Sequence, residues 1–81
     1  MGKMKILSGR EVVAILVGFG FSVASQKGSH IKLVRIMHVH DRQVLTLPLH
    51  DELDKGTLKA LFRQASRYIS EESLKKHFFH D

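Results

Sequence analysis

Gln26-Lys27-Gly28-Ser29-His30-Ile31-Lys32-Leu33 is the stretch on which the fold turns. Gly28 and Ser29 are turn formers, so Gln26 to Ser29 reads as a turn. Ahead of it, Phe21 to Ser25 reads as a first strand. Beyond it, Ile31 to Val39 mixes β-branched and apolar residues with Lys32, Arg35 and His38, which is a strand-like composition. Side chains alternate across a strand, so Ile31 and Leu33 share one face while His30 and Lys32 share the other. The alternation blurs from Val34 to Met37, which allows a bulge or burial on both faces. His40-Asp41-Arg42 reads as the next turn. Gln43 to Leu49 reads as a third strand with Leu45, Leu47 and Leu49 on one face. Pro48 marks its end or an edge, because proline donates nothing to a ladder.

Helices flank these strands. Leu7-Ser8-Gly9-Arg10-Glu11-Val12 carries a capping box, with Ser8 and Glu11 as its reciprocal partners and Leu7 and Val12 at the staple positions. Val12, Val13, Leu16 and Val17 recur at helical spacing. Gly18 and Gly20 end the helix, since glycine takes the left-handed conformation of a helix exit. After the strands, Asp54 is an N-cap for Lys55-Gly56-Thr57. Leu58, Leu61, Phe62 and Ala65 then form an amphipathic core face. Lys55, Lys59, Arg63 and Arg67 step by four along another side. A last short helix starts at the cap Ser70. Glu71 and Glu72 fall in its first turn and Lys75, Lys76 and His77 in its last, the order that suits the helix dipole.

The order α-β-β-β-α plus a short α predicts an α+β fold, a three-stranded antiparallel sheet covered on one face by helices. Eighty-one residues suffice for one small domain, residues 1–81, with a core over about 8–67 and a helical extension over about 69–79.

Thirteen Lys and Arg against eight Asp and Glu give a formal charge of +5, which favours a polyanionic partner. There is no cysteine, hence no disulfide frame and no thiolate metal site, which fits a cytoplasmic protein. The first residues hold no apolar run of signal-peptide length, and Ile6 breaks the N-myristoylation pattern. The longest apolar run, Val12 to Val17, is far short of a membrane span. Of the six histidines, His38 with His40 and His77 with His80 could share faces. No carboxylate or cysteine joins them at a familiar ligand spacing, so neither a metal nor a cofactor is expected.

Histidine is the side chain that exchanges a proton most readily near neutral pH. His30 stands between Lys27 and Lys32, which attract phosphate. Two readings of these residues stand side by side: a proton-transfer group of a phosphodiester-cleaving site, or a solvated histidine at a hairpin edge.

Taken in order, several pieces resemble the HicA toxin family, small ribonucleases of toxin–antitoxin pairs. They are Gly18-Phe19 (or Gly20-Phe21), Gln26-Lys27-Gly28-Ser29-His30, Leu47-Pro48-Leu49-His50, Leu53-Asp54-Lys55-Gly56-Thr57-Leu58 and Gln64-Ala65. The resemblance spans roughly residues 8–67. Ile31 stands where many members carry a second histidine, and Asp54 where many carry proline. The resemblance implies a fold like a double-stranded-RNA-binding domain, metal-independent cleavage of mRNA, and neutralisation by a HicB-type antitoxin. The family's catalytic histidine falls on His30.

On that reading His30 is general base on the 2′-OH or general acid on the leaving 5′-oxygen. His50 is the candidate for a second proton-transfer group. Lys27 or Lys32 would stabilise the charged transition state. Ser29, beside Gly28, would hydrogen-bond a phosphate or simply cap the turn. The amides of Lys55, Gly56 and Thr57 open a helix and can hold a phosphate, or they form an ordinary cap. Lys59 and Arg63 would extend the RNA contact, or form a solvated face. An acidic antitoxin surface would cover such a cationic face with fast, salt-sensitive association. The alternatives are a non-catalytic double-stranded-RNA-binding module and a basic adaptor for an acidic protein.

Overall fold

The computed structural model describes residues 2–80. Helix α1 runs Gly9–Gly18, and strands β1, β2 and β3 run Ser22–Lys27, His30–His38 and Asp41–Pro48. Helix α2 runs Lys55–Ala65 and helix α3 Glu71–Phe78. The strands form one antiparallel sheet in the order β1-β2-β3. This is the expected α+β architecture.

The caps form as their chemistry requires. At α1 the Ser8 hydroxyl accepts from the Glu11 amide at 3.0 Å, and the Glu11 carboxylate accepts from the Ser8 amide at 2.9 Å. Gly20 takes a φ of 100° just past the helix. At α3 the Ser70 hydroxyl accepts from the Ser73 amide at 3.2 Å.

Both hairpin turns are tighter than the sequence suggests. Lys27 pairs with His30, so Gly28 and Ser29 alone make the first turn. Gly28 has a φ of 60°, the sign that a tight II′ turn demands at its first central position. Such a turn follows the strand twist, so pairing continues right up to it. His38 likewise pairs with Asp41, leaving Val39 and His40 as the second turn. His40 therefore lies in the turn, as expected, and does not share a strand face with His38. The blurred stretch contains a register shift between Ile36 and His38, and a second shift lies between Val23 and Ser25.

The sheet divides by face. Ile31 and Leu33 on β2 and Leu45 and Leu47 on β3 join the core with Val12 and Leu16 of α1 and Leu58, Leu61, Phe62 and Ala65 of α2. Leu74 and Phe78 of α3 are fully buried in the same cluster. Residues 69–79 thus supply part of the core. The opposite face carries Lys27, His30, Lys32 and Thr46, as the pairs Lys27↔His30 and Lys32↔Thr46 require.

Two features had no counterpart in the sequence reading. Met4 bridges Phe79, with Lys5 N donating to Phe78 O at 2.8 Å and His80 N to Lys3 O at 2.7 Å. Arg35 falls on the core face because it shares the parity of Ile31 and Leu33. Its guanidinium donates to Gln43 Oε1 at 2.7 Å, to Phe19 O at 2.8 Å and to Tyr68 O at 2.8 Å. It also lies 5.0 Å from the Phe21 ring centroid. Among the described residues, no helix is long and apolar enough to cross a membrane.

Candidate active site

His30 is the first residue of β2, exposed, with Lys27 directly across on β1 and Pro48 directly across on β3. Facing residues in an antiparallel pair have Cβ atoms about 4.5–5.5 Å apart, so Lys27 and His30 are neighbours on the open face. Lys32 follows two residues along the same face and is half-buried. Gly28 and Ser29 close the turn, tied by a Gln26 Nε2 to Gly28 O bond of 3.1 Å. The structure therefore brings Lys27, Gly28, Ser29, His30 and Lys32 into one end of one hairpin.

That end is anchored from below. Leu49 N donates to Ser29 O at 2.6 Å, Gly9 N to His50 O at 2.9 Å, and Leu53 N to Leu7 O at 2.8 Å. The segment 49–54 is thus pinned between the β1–β2 turn and the start of α1, and it delivers the chain to the start of α2. Gly9 makes this close approach possible. A Cβ there would overlap Pro48 O and lie 2.7 Å from Leu49 Cα, both backbone atoms. The sequence signal was a glycine one residue past an N-cap, where a side chain is normally tolerated.

At the start of α2 the Asp54 carboxylate accepts from Thr57 N at 3.1 Å and from Thr57 Oγ1 at 2.7 Å. These bonds, the hydroxyl's first, hold its carboxyl below the ordinary carboxylate range. The Asp54 carboxylate already occupies the Thr57 amide and draws on the Gly56 amide, so a phosphate at this helix start has chiefly the Lys55 amide and side chain to meet. Asp51 and Glu52 add negative charge to the same exposed loop.

Lys59 and Arg63 are exposed on α2, about 6 and 12 Å further along its axis than Lys55. Arg67, the expected last step of the stripe, lies beyond the helix. Ser66 Oγ donates to Phe62 O at 2.7 Å and Arg67 N to Gln64 O at 3.1 Å, so the chain has already turned. His50 is exposed two residues past the β3 position that faces His30. Among the described residues, no cluster of three or more His, Cys, Asp or Glu is placed to hold a metal ion.

Such a site can perform one kind of chemistry without help: proton transfer by an imidazole beside ammonium groups that attract a phosphodiester. A small α+β domain with a lone histidine at a cationic hairpin is the class that fold and site define. The family model for the HicA toxin of bacterial toxin–antitoxin systems matches residues 9–66, and the chain belongs to that family. No curated relative and no solved structure matches the chain.

Proposed function

We infer that this toxin is a cytoplasmic endoribonuclease acting on mRNA through His30, without a metal, and held in check by a HicB-type antitoxin. The observation that carries the reading is the seating of His30 between Lys27 and Pro48, exposed, on the same face as Lys32.

RNA supplies its own nucleophile. His30 removes the 2′-OH proton, or its protonated form delivers one to the leaving 5′-oxygen. The 2′-oxygen attacks the adjacent phosphorus, the bond from phosphorus to the 5′-oxygen breaks, and the products end in a 2′,3′-cyclic phosphate and a 5′-OH. Lys27 and Lys32 offset the negative charge that builds on the non-bridging oxygens. Lys55, Gly56, Lys59 and Arg63 hold the flanking backbone, and Gly28 and Ser29 let a phosphate approach the turn. The antitoxin presents an acidic surface to Lys27 and Lys32 beside His30.

His30→Ala tests the reading. Proton transfer by one positioned side chain contributes about 10²–10⁴-fold, so cleavage of purified RNA in EDTA should fall by that factor while RNA binding persists. Growth arrest on expression should disappear with it. Wild-type rates in the variant would remove His30 from the chemistry. RNA binding without cleavage by the wild-type chain would favour the double-stranded-RNA-binding module instead.

A further inference from the structure

A cavity of about 240 Å³ opens beside α2, away from the hairpin. Its walls are Met4, Lys59, Phe62, Arg63, Glu71 and Phe79, with Ser66 completing the lining. Met4, Glu71 and Phe79 lie outside the 9–66 segment matched by the family. The pocket therefore exists only because the N-terminal segment and α3 fold back beside α2, through the Met4–Phe79 bridge and the Lys5–Phe78 bond.

Its chemistry is specific. The volume lies below the roughly 300–1,000 Å³ of sites for drug-sized ligands, which suits one small planar group. The Phe62 ring is held edge-to-face by Phe79 at 5.2 Å and 85°. Phe79 is only half-buried, so ring surface remains for a guest. Lys59 and Arg63 supply two exposed cations at the rim, and the exposed Glu71 carboxylate supplies acceptors. A flat ring for the aromatics, an anion for the cations and hydrogen-bond donors for the carboxylate together describe a nucleotide. Among the four RNA bases, guanine alone presents two adjacent donors, N1–H and N2–H₂, on its Watson–Crick edge. A carboxylate pairs with that edge through both of its oxygens.

We propose that this pocket seats an unstacked guanine of the RNA, with its base on Phe79 and Met4, its donor edge on Glu71 and its phosphate at Lys59 and Arg63. The inference rests on the RNA-cleaving reading and gives that toxin a sequence preference. The preference comes from the parts of this chain that lie outside the family-matched segment.

Two measurements test it. In the first, cut sites of the full chain are mapped on mixed-sequence RNA. Cuts should fall at a fixed offset from guanine with about tenfold preference, the scale of one good bidentate base contact. Glu71→Ala should erase that preference while guanine-free RNA is cut at the wild-type rate. Phe79→Ala should weaken guanine use by about tenfold through lost stacking. Cuts indifferent to guanine, or a preference unchanged in Glu71→Ala, would overturn the proposal. In the second, 5′-GMP, 5′-IMP and 5′-AMP are titrated into the full chain and followed by NMR. Signals of Phe79, Lys59 and Arg63 should respond to GMP, respond less to IMP, which lacks the N2 amino group, and least to AMP. This arm needs no catalysis, so GMP binding without RNA cleavage would sink the ribonuclease reading and leave the pocket. RNA cleavage without a GMP response would do the reverse. Pocket signals that respond only to an acidic protein partner would also overturn it.

Discussion

Arg35 shows how much one side chain can decide. It sits at a strand position whose neighbours of the same parity, Ile31 and Leu33, are core residues. A charged group there is tolerable because its inward-facing donors find acceptors. Gln43, directly across on β3 and nearly buried at 8% exposure, takes one. The carbonyls of Phe19 and Tyr68 take two more, from the end of α1 and from the link between α2 and α3. Arg35→Met keeps the aliphatic bulk but abandons those acceptors, at a cost of about 2–3 kcal/mol in unfolding free energy. Urea unfolding should show a lower midpoint with an unchanged slope. Arg35→Lys should recover little of it, because a single ammonium cannot reach acceptors spread around a planar fork.

Among the elements, α2 contributes both to the proposed RNA contact and to the core. Its start is held by Asp54, whose carboxyl is lowered by the hydroxyl and amide of Thr57. A carboxyl lowered in the folded state contributes stability above its unfolded value and loses it as pH falls through the folded one. Acid should therefore loosen the start of α2. Asp54→Asn keeps a good N-cap but removes the titration. From about pH 5 to about pH 2, the thermal midpoint of the variant should fall less steeply than that of the wild type. Parallel curves would show that the cap carries no pH-dependent stability. Beyond the cap, α2 presents Leu58, Leu61, Phe62 and Ala65 to the core and Lys59 and Arg63 to solvent. The same helix thus joins the hairpin end of the molecule to the pocket under α3.

For the molecule as a whole, four of the thirteen Lys and Arg bear on the proposed RNA contact. Lys27 and Lys32 face outward from the sheet, and Lys59 and Arg63 line one flank of α2. The acids Asp51, Glu52 and Asp54 lie in the loop between these groups. Single-stranded RNA that engages about four of these cations should bind with a log–log salt slope near −3. A flat response would remove the electrostatic account of binding. Substituting Lys27 and Lys32 together should reduce the slope by roughly one to two.

The elements of this protein were legible in its sequence because each rests on local chemistry. Ser8 with Glu11, Asp54 and Ser70 start the helices, Gly28 closes the hairpin, and the leucines of β3 declare a core face by their alternation. The hairpin cluster around His30 was legible for the same reason, since its members are near neighbours in the chain. What lay hidden depends on contacts between distant residues. No local pattern announces that Gly9 must admit the backbone of Pro48 and Leu49, or that Arg35 will find carbonyls at Phe19 and Tyr68. Nor could the sequence show the pocket, whose walls at Met4 and Phe79 come from opposite ends of the sequence to meet Phe62 of α2. Sequence patterning fixes which face of each element turns inward. Only packing, which fills space between faces contributed by distant parts of the chain, decides where a carboxylate, a cation and a ring come to share one cavity.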